Sequence, residues 1–439
     1  MSEEKFNYRS KEALLEAAER AGAKIPWDDD LSCLAEKVKI GDSKVELKNS
    51  LTIHPMEGFD SEPDGSPAPL TLRRAERMAS GGAGLVWVEA TSVTEDGRTS
   101  SGQLWIHEKN LDSYKRLAEM MHEKSGGAPI ILQLTHSGRF SKPDNTPKPV
   151  ISYHNPVMNE KFMIDPDYPV VTDEYLDALP EIFGNAAKMA KDAGFDGADI
   201  KCCHKYLFSE LLSAYNRPGR YGGSYENRTR VFIDSIKAAA VHRSEDFILA
   251  SRFGPYDCIP YPWGFAADRD DYTKIDWEEP DRLYKDMYDC GIRLVDMTLG
   301  TPYYNPHVNR PYTGGGYEPP EARLCGVERL IEASAHMKKS VPGITLIGTG
   351  YSYLRQFSPN VAAGAKKAGM IDAAGFGRMA FAYPDFARDI LEKGELDTKK
   401  VCVTCSKCTA IMRQMHATGC PIRDREYTGV YKELFGSKE

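Results

Sequence analysis

PIILQLTH (129–136), YLDALPEIFGNAAKMAKDAG (175–194) and GADIKCC (197–203) read in turn as strand, helix and strand, and that unit decides the fold. The outer two runs are short and apolar on both faces, as parallel strands buried on both sides must be. The middle run repeats apolar residues at helical spacing and closes on Gly194. A crossover of this length is what joins two parallel neighbours. The same alternation extends in both directions. Further strand candidates are SLTIHPM (50–56), GLVWVEAT (84–91), FILASRFG (247–254), LVDMTLG (294–300), ITLIGTG (344–350) and AAGFGRM (373–379). Helix-like stretches such as LDSYKRLAEMMHEKS, RTRVFIDSIKAAAVHR and ERLIEASAHMKK lie between them. Eight strands largely alternating with helices predict an α/β fold, a (β/α)8 TIM barrel rather than an open doubly wound sheet.

Composition narrows the class. The chain has 439 residues, 41% hydrophobic and 27% charged, as in a soluble globular enzyme. A net charge of −8 argues against nucleic acid as a partner, because phosphate backbones need a basic face. The opening MSEEKFNYRSKEALLEAAER has no apolar core of a secretion signal, and no run of eighteen apolar residues occurs, so neither export nor a membrane span is expected. Ten cysteines in a chain of this size do not read as a disulfide framework, which places the protein in a reducing cytoplasm. Residues 1–35 are expected to be a helical extension, 36–395 the barrel, and 396–439 a small cysteine-bearing segment.

In such a barrel the chemistry sits at the C-terminal ends of the strands and in the loops that follow. That rule selects Pro55, Met56 and Glu57, then Ala90, Gln133, His136, the stretch Lys201–Tyr206, Arg252, and the glycines of IGTGY (347–351) and GFGRM (375–379). The last two motifs, with Arg378 as a fixed cation, favour a bound phosphate; taken singly, each could be no more than a tight turn. Arg252 points from the fifth strand into the barrel mouth and needs an anion, which a reduced flavin would supply. Gln133 can both donate and accept, which suits the edge of a flavin ring, although it could equally be an ordinary polar strand residue. Lys201, His204 and Tyr206 cluster past the fourth strand. A tyrosine there can protonate carbon while a histidine and a lysine polarise a carbonyl. Two long aromatic loops, 256–272 and 301–320, should shape the pocket.

Cys402, Cys405, Cys408 and Cys420 are spaced C-x2-C-x2-C-x11-C, with Pro421 following. Three cysteines within seven residues and a fourth after a longer gap suit a [4Fe-4S] cluster. Structural zinc more often takes two separate pairs, and inert thiols are the third reading. A cluster would imply oxygen-poor surroundings.

SAYNRPGRYGGSYENRTR (213–230) resembles the N-x-R-x-D-x-Y-G-G-S-x-E-N-R motif of the Old Yellow Enzyme family of flavin-dependent ene-reductases. Pro55-Met56, GGAGLVWVEAT (81–91), QLTHSGR (133–139) and GFGRM (375–379) match in the family's order, so the likeness covers about residues 36–395. The cysteines extend it toward the branch that contains 2,4-dienoyl-CoA reductase and trimethylamine dehydrogenase. The resemblance implies FMN as cofactor. Pro55, Met56 and Glu57 would lie along it, Ala90 and Gln133 at its ring edge, Arg252 at N1, and Gly350, Gly377 and Arg378 at its phosphate. It implies Tyr206 as proton donor, His204 as substrate-binding residue and the cysteine tetrad as cluster ligands.

The departures are Lys201 for the first histidine of the usual pair, Lys205 for a glycine, Glu57 where relatives carry Cys or Thr, and Arg220 for an Asp. A fixed cation at Lys201 could favour a carboxylate or an enolate-like anion, and an anion at Glu57 would lower the flavin potential. Only 19 residues follow Cys420, so the FAD- and NADH-binding domains of the longer relatives are not expected. The expected function is reduction of an activated C=C bond. Electrons would come from an external donor, either a ferredoxin, a flavodoxin-like protein or a separate FAD/NADH subunit. Lys399, Lys400, Lys407 and Arg413 could form its docking patch, or be ordinary solvated charge. Amine dehydrogenation, with Trp263, Tyr303, Tyr304 and Tyr312 as a cage for an alkylammonium, is the alternative. A non-catalytic electron-transfer subunit is a second alternative, and a homo-oligomer is possible.

Overall fold

The computed structural model describes residues 6–436. Residues 1–5 and 437–439, the outermost parts of the two flanking segments expected above, lie outside the described residues. Eight strands close into one parallel barrel: Leu51–Ile53, Leu85–Ser92, Ile130–Thr135, Gly197–Ile200, Ile248–Phe253, Ile292–Met297, Thr345–Gly348 and Ala373–Phe376. They hydrogen-bond in chain order, and the eighth returns to the first through Gly375 against Thr52. The eight runs read from sequence are these eight strands. The sixth starts two residues earlier than expected, because Arg293 interrupts its apolar run. That guanidinium leaves the wall to reach Asp42, 3.3 Å away.

Alternation along each strand builds two cores. Val86, Ile130, Leu132, Leu249, Leu346 and Ala374 face outward into the layer shared with the helices. Leu85, Trp87, Ile131, Ile248, Leu294 and Ile347 fill the barrel interior. Side chains alternate with a period of two, so the next interior positions are Gln133, Arg252 and Asp296, two or four residues further along their strands. The wall is therefore apolar at its floor and polar at its C-terminal mouth. A short antiparallel hairpin, Val38–Lys39 with Glu46–Leu47, closes the floor. Its Ile40, Val45 and Leu47 complete the inner core. The sequence reading had no strand here, since two-residue strands leave no periodicity to detect.

The crossover helix Asp173–Asp192 starts where the Thr172 side chain accepts the Tyr175 amide. It buries Leu176, Leu179, Phe183, Ala186 and Ala190 on one face. The N-terminal helix Lys11–Ala21 lies outside the barrel, where the Lys24 amide donates to Glu328 at 2.8 Å. The cysteine-bearing segment carries helices Lys407–Arg413 and Arg425–Phe435 and sits at the mouth. Asp424 accepts from Arg73 (2.9 Å) and pairs with Arg77, while the Thr418 amide donates to Gly58 at 2.6 Å. Among the described residues no helix is long and apolar enough to cross a membrane.

Candidate active site

A cavity of about 750 Å³ opens at the C-terminal mouth. Its walls bring together Pro55, Met56, Glu57, Ala90, Gln133, Lys201, His204, Tyr206, Arg252, Gly350, Gly377 and Arg378, together with Cys408 of the tetrad. His136, picked by the strand-end rule, and Glu89, the neighbour of Ala90, turn away. Glu89 pairs with Arg74 and accepts the Gly58 amide at 2.6 Å, and His136 Nε2 lies 2.7 Å from the Tyr175 hydroxyl.

Below the cavity a buried polar layer holds the strand ends. Asp296 on the sixth strand lies 3.3 Å from Arg252 Nε and 2.7 Å from His54 Nδ1. Arg252 also donates to the Pro55 carbonyl at 3.2 Å. Asp296 gives Arg252 an anionic partner inside the barrel, and Arg252 also lines the cavity where the flavin is expected. Gln133 Nε2 donates to Asp199 at 2.6 Å, so part of the amide expected to face a ring edge is engaged below it. Burial pushes Asp199 up to about 6 despite this bond. Gly375 is required here, because a Cβ on it would lie 2.0 Å from the His54 ring.

At one end of the cavity Gly350 adopts φ +106°, and a Cβ on Gly377 would meet Met56 Sδ at 2.8 Å. Arg378 donates through Nη2 to the Pro311 carbonyl, while its buried Nη1 has no hydrogen-bond partner among the described residues. Burial pulls its pKa down. A buried guanidinium with an open donor beside two side-chain-free positions fits a phosphate. These residues fit the phosphate of FMN.

At the other end Lys201 Nζ lies 3.8 Å from the centroid of the Tyr206 ring. The Tyr206 hydroxyl is 2.9 Å from that of Tyr303. Burial, then Tyr303 and Glu57, holds Tyr206 well above the ordinary phenol range. His204 sits at φ +65°, its Nε2 3.2 Å from Thr298 Oγ1 and 3.2 Å from Asn309 Nδ2. Burial and the cations Arg252, Lys201 and Arg310 keep it neutral. Burial lowers Lys201, with Cys203 and Glu57 opposing. Glu57 accepts from Thr99 Oγ1 at 2.7 Å and is pushed up to about 7 by burial. Lys205 does not join the cavity. It adopts φ +61°, the left-handed conformation that suits glycine, and its buried ammonium pairs with Asp257 at 2.7 Å. Arg220 pairs with Asp177 on the outer crossover helix.

Sequence reasoning missed Asp296, His54, Asn309 and Arg310, and gave Tyr303 a different role. Asp296 was within reach, because it shares the interior parity of Leu294 on the same strand. Asn309 and Arg310 sit in the long loop after the sixth strand, where no period marks which side chains turn inward.

The four cysteines lie within electrostatic reach of one another. Burial raises Cys402 to about 11 and Cys420 to about 12, with Cys408 adding to both. Cations lie among their neighbours: Arg355 and Arg378 feel Cys402 and Cys405, and Arg310 feels Cys408. Among the described residues no three His, Cys, Asp or Glu side chains stand where they could hold a metal ion. The thiols are near enough to feel one another and have arginines beside them, but they do not stand as a ready-made ligand set, and the iron–sulfur reading rests on their spacing in sequence. Of the expected docking patch, Arg413 lines the cavity instead, Lys400 lies 3.8 Å from Asp389, and Lys407 covers the Tyr431 ring.

The fold and this site define a flavin-binding oxidoreductase barrel. Residues 34–276 match the NADH:flavin oxidoreductase / NADH oxidase family, and the chain belongs to it. It is an FMN-dependent oxidoreductase of the Old Yellow Enzyme type. An NADPH dehydrogenase of Halalkalibacterium halodurans is 36% identical over 295 residues, which is 66% of this chain and 79% of that protein. Among solved structures, 2-naphthoyl-CoA reductase bound to 2-naphthoyl-CoA superimposes with a TM-score of 0.73 at 21% identity, covering 90% of this chain. This chain spans only 57% of that longer protein. The Old Yellow Enzyme homologue of Zymomonas mobilis gives a TM-score of 0.63 at 19% identity, covering 89% of this chain and 98% of that one.

Proposed function

We propose that the protein reduces a C=C bond conjugated to a carbonyl, carboxyl or thioester group. The observation that carries this reading is a buried, protonated phenol, Tyr206, beside a neutral imidazole and a cation in one cavity with the cofactor-binding residues. When bound, FMN supplies hydride to the β-carbon of the substrate. Tyr206 Oη gives its proton to the α-carbon, and the phenol's high pKa keeps that proton in place until charge develops there. His204 and Lys201 stabilise the oxygen on which that charge develops. Phe140, stacked 3.9 Å from Tyr303, walls water away from the reacting end. Pro55, Met56, Glu57, Ala90, Gln133 and Arg252 would line the flavin, with Gly350, Gly377 and Arg378 at its phosphate.

Cys402, Cys405, Cys408 and Cys420 would hold a [4Fe-4S] cluster, which exchanges single electrons. The donor would then be a separate carrier: a ferredoxin, a flavodoxin-like protein or an FAD/NADH subunit. The same proposal takes 36–395 as the FMN unit and 396–439 as the cluster segment, in a cytoplasmic, oxygen-poor setting. Amine oxidation is disfavoured by charge, since eight cationic side chains line the cavity against the single carboxylate of Glu57. The aromatic cage does not assemble either. Trp263 stacks by Tyr153, Tyr312 meets Tyr317 edge-on, and Tyr304 lies under Lys161.

The deciding experiment is an anaerobic absorbance spectrum with iron and acid-labile sulfide assays, followed by addition of alkenes and amines. Enones or enoates that restore the yellow colour of the reduced protein support the reading. Amines that bleach the oxidised protein, with no alkene reoxidising it, would overturn it.

A further inference from the structure

We propose that the outer wall of the cavity binds an anionic group of the substrate, remote from the reducible bond, through Arg413 and Lys161 with Arg310 behind them. The reducible bond in this statement rests on the ene-reductase reading above; the anion site does not. The whole chain carries a net charge of −8, yet its cavity is lined by eight cations and one carboxylate. Composition therefore does not account for the excess of positive charge. Arg139 is satisfied by Glu210 at 2.5 Å, Arg252 by Asp296 at 3.3 Å, and Lys201 faces Glu57. Lys161, Arg310, Arg378 and Arg413 line the cavity in no ion pair among the described residues, as does Lys142.

These four run as a file from the phosphate end to the mouth. Arg310 lies between Arg378 and Arg413, within electrostatic reach of both. Lys161 is lowered by burial and by Arg413. Arg310 Nη1 donates to Thr409 at 2.8 Å, and its buried Nε has no partner among the described residues. Like charges in file, partly out of water, are unfavourable unless anions sit among them. A flavin phosphate at Arg378 answers the inner end, and the Cys408 thiol lies beside Arg310. Arg413 and Lys161 have no carboxylate in an ion pair with either of them among the described residues.

The outer pair is also positioned. Lys161 comes from the helix Pro156–Phe162, where its ammonium donates to the Tyr304 carbonyl at 3.1 Å and lies 4.9 Å above that ring. Arg413 ends the helix Lys407–Arg413 of the cysteine segment. Between this pair and Tyr206 the wall is apolar, built from Phe140, Phe162, Tyr303 and Met412. Because about 750 Å³ must contain the flavin as well, the ligand is small. It has a flat apolar body, a conjugated C=C at one end and a carboxylate or phosphate at the other.

The test uses the full-length, FMN-loaded enzyme and three probes: 4-(3-oxobut-1-enyl)benzoate, its methyl ester, and the matching aryl phosphate. Binding is read from the flavin absorbance and turnover from reoxidation of the reduced protein. The acid is expected to bind about tenfold or more tightly than the ester, with the difference shrinking as salt rises. In Lys161→Ala/Arg413→Ala the acid-to-ester ratio falls to about one, whereas Lys161→Arg/Arg413→Lys retains it. A phosphate preferred over the carboxylate would point to a phosphorylated or coenzyme-linked substrate, the reverse to a free acid. Equal affinity for acid and ester in the unaltered protein, or a preference the double alanine variant keeps, would overturn the proposal. If the acid preference holds but no probe reoxidises the flavin, the anion site stands and the ene-reductase reading falls.

Discussion

Two side chains of the cavity, Tyr206 and Glu57, and one beside them in sequence, Lys205, each carry a measurable consequence. Tyr206 is buried and held protonated, so its value to the enzyme is one transferable proton. Tyr206→Phe keeps the ring and its place above Lys201 while removing that proton. Steady-state kinetics should show kcat for alkene reduction reduced by about 10²–10⁴-fold, with FMN content unchanged. Glu57 has a folded pKa of about 7 against an ordinary 4.5. The folded protein therefore holds this proton more tightly than the unfolded chain, and stability falls as pH rises through that window. Below it both states are protonated, and above it the loss is constant. Denaturant midpoints of Glu57→Gln and the unaltered protein should agree below pH 4.5 and separate above pH 7, the variant being the more stable. Lys205 shows the opposite logic. Glycine would suit its φ of +61° better, yet Lys205→Gly strands the buried Asp257 carboxylate. Removing one partner of a buried pair costs about 3–5 kcal/mol, more than the backbone relief of about 1 kcal/mol, so urea unfolding should show a net loss.

At the level of the elements, the barrel was readable because its strands are apolar on both faces and its crossovers keep helical spacing. The eight runs needed no context beyond themselves. Gln133 and Arg252 were found because they stand at C-terminal strand ends, and the interior parity Asp296 shares with Leu294 would have added it. Residues in the loop 301–320 obey no period, so Asn309, Arg310 and the Tyr206–Tyr303 contact became visible only once the chain was folded. Lys205 misleads in the other direction, since beside the site in sequence it is tied to Asp257 away from the cavity in space. The floor hairpin is the element the sequence hid most fully. Two residues per strand leave no pattern, yet Leu47 is fully buried beneath the interior core. Leu47→Ala should cost about 2–5 kcal/mol in thermal or urea unfolding. Because the floor lies at the opposite end from the mouth, FMN content at saturation should not change.

The whole molecule joins a catalytic barrel to a cysteine-bearing segment, and the join decides how separable the two are. The segment is held by contacts that do not involve its sulfurs: Asp424 to Arg73 and Arg77, Thr418 to the Gly58 carbonyl, and Thr313 to the Thr404 carbonyl at 3.0 Å. Its cysteines, in turn, contribute Cys408 alone to the cavity lining. A barrel closed on itself with its own inner core does not need the metal to fold. Loss of the proposed cluster should therefore leave the flavin site standing while cutting the proposed external supply of single electrons. Cys402 is the thiol to change, because it is buried and serine nearly matches its shape. Cys402→Ser should lose most of the about four irons and sulfides per chain expected of one cluster, while keeping its FMN and its unfolding midpoint within about 1 kcal/mol. Reduction of the flavin by a small artificial donor that reaches the cavity directly should persist, and reduction by a protein donor should fail. An unaltered protein without iron would instead leave the tetrad as thiols. A variant that lost FMN along with iron would show that the segment completes the flavin site rather than serving it from outside.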